Sequence, residues 1–154
     1  MIRLSAGLAT MLLRPNGKSF ADAFRYGVLR LFSGGQPDDA NATETGTLLC
    51  EISNGGVLFT PGIASGGLNF MLGSTQLLEK SNFETWKGNP VASGNLGWFR
   101  FYDNALGIGA STTAVRFDGS IVVMGTGDLR VSHLDVSTGV PMEIEFFEIS
   151  QPLQ

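Results

Sequence analysis

The chain has 154 residues, a net charge of −4, no cluster of Lys and Arg, and 16% charged against 43% apolar residues. That balance excludes a nucleic-acid binder, which needs concentrated positive charge to displace counterions from phosphates, and a solvated coil, which holds far fewer apolar side chains. One cysteine, Cys50, rules out an internal disulfide framework, and no apolar run approaches the length of a membrane-spanning helix.

The length fits one domain with a sizeable core, and Met1-Ile2-Arg3-Leu4 followed by SAGLATMLL lacks the features of a secretory signal. Leu4, Leu8, Met11 and Leu12 recur at helical spacing, with Ser5 placed to cap and Pro15-Asn16-Gly17 to stop the run. In SFADAFRYG, Phe20, Ala23 and Phe24 repeat the spacing between an N-cap at Ser19 and a stop at Gly27. Residues 1–27 are therefore expected to form a helical segment of one or two short helices. It either packs on the core or docks as an arm on a neighbouring subunit.

From Val28 the period becomes two. VLRLF, TLLCEI, GVLFT, GWFRFY, AVRF and SIVVMG are short, β-branched or aromatic, and separated by Gly, Asn, Asp and Pro. Asn54-Gly55-Gly56 and Asp118-Gly119 between apolar runs predict hairpin turns, the second joining AVRF directly to SIVV. MEIEFFEI predicts a half-buried strand with Glu143 and Glu145 on its wet face, and a bulge or a covered outer face at Phe147. Eight to ten such strands without long helices predict an all-β fold, a β-sandwich or jelly roll, over residues 28–154. With the N-terminal helical segment it makes a single domain overall.

No pattern points to catalysis. His133 is the sole histidine and, with one cysteine far away in sequence, cannot supply a usual zinc set. GIGAST and GTGDLR lack the phosphate-loop pattern, and no nucleophile elbow is present. Glu143 and Glu145 read as a solvated strand face rather than a glycosidic pair. The polar stretch QPDDANATETGT is predicted to be a loop at the end of the sandwich, shaped by Pro37 and by Asx turns at Asp38, Asp39 and Asn41. No catalytic residue, cofactor or metal is expected. In GWFRFY, Trp98, Arg100 and Tyr102 share one strand face opposite Phe99 and Phe101. That face is either covered by the protein itself or open to a partner.

The order of these pieces carries a resemblance. A Leu-Ser-x-Gly-Leu start leads to YGVLRLFSGGQP, then to QPDDANATETGTLL, GGLNF and FETWKGNPVASGNLGWFRF. This series resembles a family of small structural proteins of tailed bacteriophages and prophages, over residues 4–103 and most specifically over 33–49 and 84–101. The resemblance implies a virion component without catalytic activity, made in the host cytoplasm, and does not itself fix a place within the particle. Small jelly-roll proteins of phage particles commonly serve as cement or decoration proteins, so a place on the capsid surface is expected ahead of one in the tail. The chain's implied partners are the major capsid protein and further copies of itself, as a trimer or dimer, with no nucleic acid and no membrane. Leu4, Leu8, Met11, Leu12 and Leu13, with Trp98, Arg100 and Tyr102, are the expected partner-binding residues. A tail or baseplate component, or a carbohydrate-binding host-recognition module built on Trp86, Trp98 and Tyr102, remain alternatives.

Overall fold

A computed structural model describes residues 1–74 and 76–150. The last four residues of the expected 28–154 domain, 151–154, lie outside the described residues. After a two-residue strand, β1 (Arg3–Leu4), helix α1 (Ala6–Leu13) starts at Ser5, whose Oγ accepts the Leu8 amide at 3.1 Å. Ser19 caps α2 (Phe20–Ala23) likewise, accepting from the Asp22 amide. Both caps satisfy amides that a helix start leaves open. Leu4 departs from the helical expectation and pairs with Phe117 in a sheet. Tyr26, not Gly27, takes the left-handed conformation at φ 59° after α2.

The remainder of the described residues is strand and loop. In chain order come β2 (Val28–Ser33), β3 (Leu48–Asn54), β4 (Phe70–Leu72), β5 (Leu77–Lys80), β6 (Trp86–Gly88) and β7 (Gly94–Tyr102). They are followed by β8 (Arg116–Val122), β9 (Leu129–Arg130), β10 (Asp135–Val136), β11 (Met142–Ile144) and β12 (Glu148–Ser150). Among the described residues, nine strands form one sheet of order β1-β8-β7-β2-β3-β6-β11, with β10 on β7 and β9 on β8. Three more form a sheet of order β12-β5-β4. The fold is all-β and sandwich-like with two short N-terminal helices, but its layers are unequal.

Aromatic rings join the layers. Phe70 of β4 lies 5.0 Å from Phe101 of β7, and Phe147, between β11 and β12, lies 5.3 Å from Phe99. Leu8, Ala23 and Phe24 belong to the same buried cluster, so the helical segment and the strands share one core. Truncating one such Phe to Ala removes about 3–5 kcal/mol of stability.

Three local expectations give way to packing. Asp118-Gly119 is not a turn, because β8 runs straight through it. Gly119 pairs with Phe99, whose ring would lie 2.5 Å from an added Cβ, and Asp118 is buried against an arginine. Tertiary contacts outweigh the turn preference there. GVLFT is a loop: Gly55 and Gly56 turn the chain at φ 70° and 71°, Phe59 is buried, and Leu58 stands 86% exposed. MEIEFFEI breaks after Ile144, because Phe147 turns into the core while the chain crosses from the large sheet to the small one.

Candidate functional site

The alternation of β7 places Trp98, Arg100 and Tyr102 outward and Phe99 and Phe101 inward. Strand register then sets charges in a row. Arg100 pairs with Arg30 of β2 and with Asp118 of β8, Arg30 pairs with Glu51 of β3, and Asp118 pairs with Arg3 of β1. The row Glu51–Arg30–Arg100–Asp118–Arg3 crosses five strands. Arg100 donates through Nε and Nη2 to both oxygens of Asp118, at 2.5 and 2.7 Å, with neither side chain exposed. This is the fork geometry that gives guanidinium–carboxylate pairs their strength. Arg30 Nε donates to Glu51 at 2.8 Å. Beside the row, Trp98 stacks on Phe32 with centroids 4.5 Å apart.

Residues 34–47 lie across this face as a strap, whereas the sequence predicts the QPDDANATETGT stretch within them, 36–47, at the end of the sandwich. Trp98 Nε1 donates to the Thr45 carbonyl at 3.2 Å, and Arg100 Nη1 to the Ala42 carbonyl at 2.9 Å. Arg116, also unexposed, donates to the carbonyls of Ala40, Asn41 and Ala42 in the strap and of Gly107 in the adjoining loop. Arg3 donates to the Pro37 carbonyl. At the centre, the Glu44 carboxylate accepts the Tyr102 hydroxyl at 2.6 Å, Arg100 Nη1 at 3.1 Å and the Gly109 amide at 2.9 Å. Arg116 Nη1 stands 3.8 Å from it. Of the Asx turns expected at Asp38, Asp39 and Asn41, the one at Asp39 forms, its Oδ1 accepting the Asn41 amide at 2.8 Å, whereas Asn41 Oδ1 accepts the distant Ala6 amide at 2.9 Å.

Burial opposes the charge of Glu44, but the bonds from Tyr102 and from backbone amides, with the Arg100 charge, hold its carboxyl below the ordinary range. Burial also opposes the Arg100 charge; the bonds with Asp118 outweigh it and keep the guanidinium above its ordinary value. Burial raises Asp118 despite those bonds, and raises the Tyr102 hydroxyl, whose bond to Glu44 adds to the effect. No buried polar side-chain atom lacks a partner among the described residues.

Two expectations for partner binding are corrected by this geometry. Trp98, Arg100 and Tyr102 are 0% exposed because the strap lies on them, so they hold the strap and offer no surface to another molecule. Leu8 is equally buried, because its helix packs into the core. The other N-terminal residues differ. Leu13 is 85% and Leu4 43% exposed, while Met11 and Leu12 are half-buried. Leu4 and Leu12, with Ile2, Phe20, Leu72 and Ile149, line an apolar groove of about 580 Å³ between the N-terminal segment and the small sheet.

The reactive side chains stay apart from both places. Cys50 is buried in β3, and burial, reinforced by the charge of Glu51, pushes its thiol up to about 12. His133 is exposed and hydrogen-bonded with Ser132 at 2.9 Å, and Glu143 and Glu145 face solvent. Among the described residues no three His, Cys, Asp or Glu side chains converge to hold a metal ion. The sequence reading missed Glu44, Arg116 and Asp118. Their signal was present as charged residues at alternate positions in otherwise apolar strands, facing an acid in a neighbouring loop. No protein-family model, curated protein or solved structure matches the chain.

Proposed function

We propose that this chain is a structural protein of a tailed-bacteriophage particle, a capsid cement or decoration protein that adheres across neighbouring major capsid subunits and performs no catalysis. The carrying observation is the exposed apolar edge of the N-terminal segment, Leu4 in the lining of the groove and Leu13 at the end of α1, on a frame whose Arg100–Asp118 pair is buried. Apolar groups held open on a well-braced frame suit contact with other protein surfaces. The two stretches most specific to the phage resemblance, 33–49 and 84–101, also pack on each other through Thr45, Trp98 and Arg100, which supports reading them as one unit.

A bridging protein stabilises a shell by mass action, because its composite site exists only when capsid subunits are assembled. Many weak identical contacts then resist disassembly together. A closed homo-oligomer, trimer or dimer, fits such a position.

The test is the number of copies in purified particles of the phage that encodes the chain, counted by quantitative mass spectrometry and located by electron microscopy. Hundreds of copies on the shell agree with this reading. A few tens at the tail replace it with a tail or baseplate role, and glycan binding without particle association replaces it with host recognition. Leu13→Glu is expected to keep the melting temperature while lowering shell occupancy; unchanged occupancy removes the N-terminal segment from the contact.

A further inference from the structure

We propose, independently of the virion reading, that residues 34–47 are an acid-released strap: the Glu44 carboxylate locks them over the outer face of β7 and β8, and neutralising it lifts them from Trp98 while the inner core stays folded.

The argument is one of charge balance in a closed space. From β7, Arg100 and Tyr102 face Glu44; from β8, Arg116 and Asp118 do. From β2, Arg30 stacks on the Tyr102 ring at 5.7 Å and is itself paired with Glu51 of β3. The loop after β7 brings the Gly109 amide, with Asp103 at its start, and Arg3 of β1 and Asp39 of the strap lie along its far end. At neutral pH the two unexposed guanidiniums of Arg100 and Arg116 are matched by Asp118 and Glu44. Asp118 is engaged by both of its oxygens with Arg100. Glu44, shared with Arg100 Nη1, is therefore the nearest counter-charge for Arg116, whose remaining partners are neutral carbonyls.

Removing the charge of Glu44 leaves an unmatched buried cation, which is strongly unfavourable. Lifting the strap admits water to it and uncovers the Phe32–Trp98 stack with the buried Pro37 and Ala40, while the inner core around Phe99 and Phe101 stays packed, so this opening lies below global unfolding in cost. The sign agrees. Glu44 is held below the ordinary carboxylate range, so its stabilisation is complete above that range and is lost as pH falls through the lowered value. Asp118, raised by burial, has the opposite sign, and its bonds run to Arg100 within the sheet, so its titration breaks no direct bond to the strap.

The two tryptophans report separately. Trp98 lies under the strap and Trp86 in the inner core, each 0% exposed. The full chain labelled with 5-fluorotryptophan is followed by fluorine NMR as pH is lowered. The Trp98 resonance is expected to move to a solvent-exposed position at a higher pH than the Trp86 resonance. In Glu44→Gln at neutral pH, Trp98 is expected at that exposed position with Trp86 unchanged. If the Gln variant fails to fold, the acid titration of the unaltered chain decides alone. Simultaneous movement of both resonances, or a native Trp98 position in a folded Glu44→Gln protein, overturns the proposal.

Discussion

Arg100 shows how one side chain can hold two layers of structure. Its Nε and Nη2 are committed to Asp118 on the neighbouring strand, while Nη1 reaches the strap through Ala42 and Glu44. Removing one partner of such a buried pair is costly chiefly because the other stays behind unmatched. Asp118→Ala is therefore expected to lower stability by about 3–5 kcal/mol in urea unfolding. Replacing both residues, as Arg100→Met with Asp118→Leu, is expected to recover part of that loss, since apolar packing substitutes for a pair whose charges burial opposes. Equal losses in the single and double variants contradict this account. Cys50 carries a second prediction at this scale. With its thiol pushed up to about 12, almost no thiolate exists near neutral pH, and the side chain is buried. Iodoacetamide is expected to modify it only after denaturation; labelling of the native protein at the rate of a free thiol contradicts the burial described here.

Elements were legible in the sequence wherever their cause was local. Ser5 and Ser19 announce the helix starts they cap, and the alternation in VLRLF and GWFRFY gives both faces of β2 and β7. Reading failed where a distant residue decides the outcome. Asp-Gly at 118–119 has every local mark of a hairpin, yet Phe99 requires a residue without Cβ there and Arg100 requires the carboxylate. The strap was legible as a loop with Asx turns but not as a cover, because its anchors Trp98, Arg100 and Arg116 lie more than fifty residues away in sequence. Gly119→Ala tests the packing explanation of β8. Overpacking against the Phe99 ring is expected to cost about 1–3 kcal/mol. Gly55→Ala has no neighbour within 4 Å but sits at φ 70°, so only backbone strain acts, at about 1–2 kcal/mol. Thermal unfolding of the two variants separates the causes: a second substitution, Phe99→Leu, is expected to relieve the first and leave the second unchanged.

Over the whole molecule, the charge row on one face and the aromatic core on the other fasten β2, β7 and β8 from both sides. The outer face is closed by the strap, and the N-terminal segment is anchored from within by Leu8 and by the Ser5 hydroxyl, which donates to the Ala114 carbonyl at 2.7 Å. Exposed apolar groups at Leu4, Leu13 and Leu72 consequently stand on a braced frame, and little ordering is needed when they meet another surface. If adhesion to a shell uses these groups, its dependence on salt follows from their chemistry. Exposed ion pairs are screened within about 10 Å at 0.1 M salt and within about 3 Å at 1 M, whereas apolar contact is not weakened by screening. Retention of the protein on particles is therefore expected to hold or rise as sodium chloride increases from about 0.1 to about 1 M. Leu13→Glu is expected to lower retention at every salt concentration. A steep loss of the unaltered protein with salt in a sedimentation assay assigns the contact to charged groups and removes the apolar edge from it.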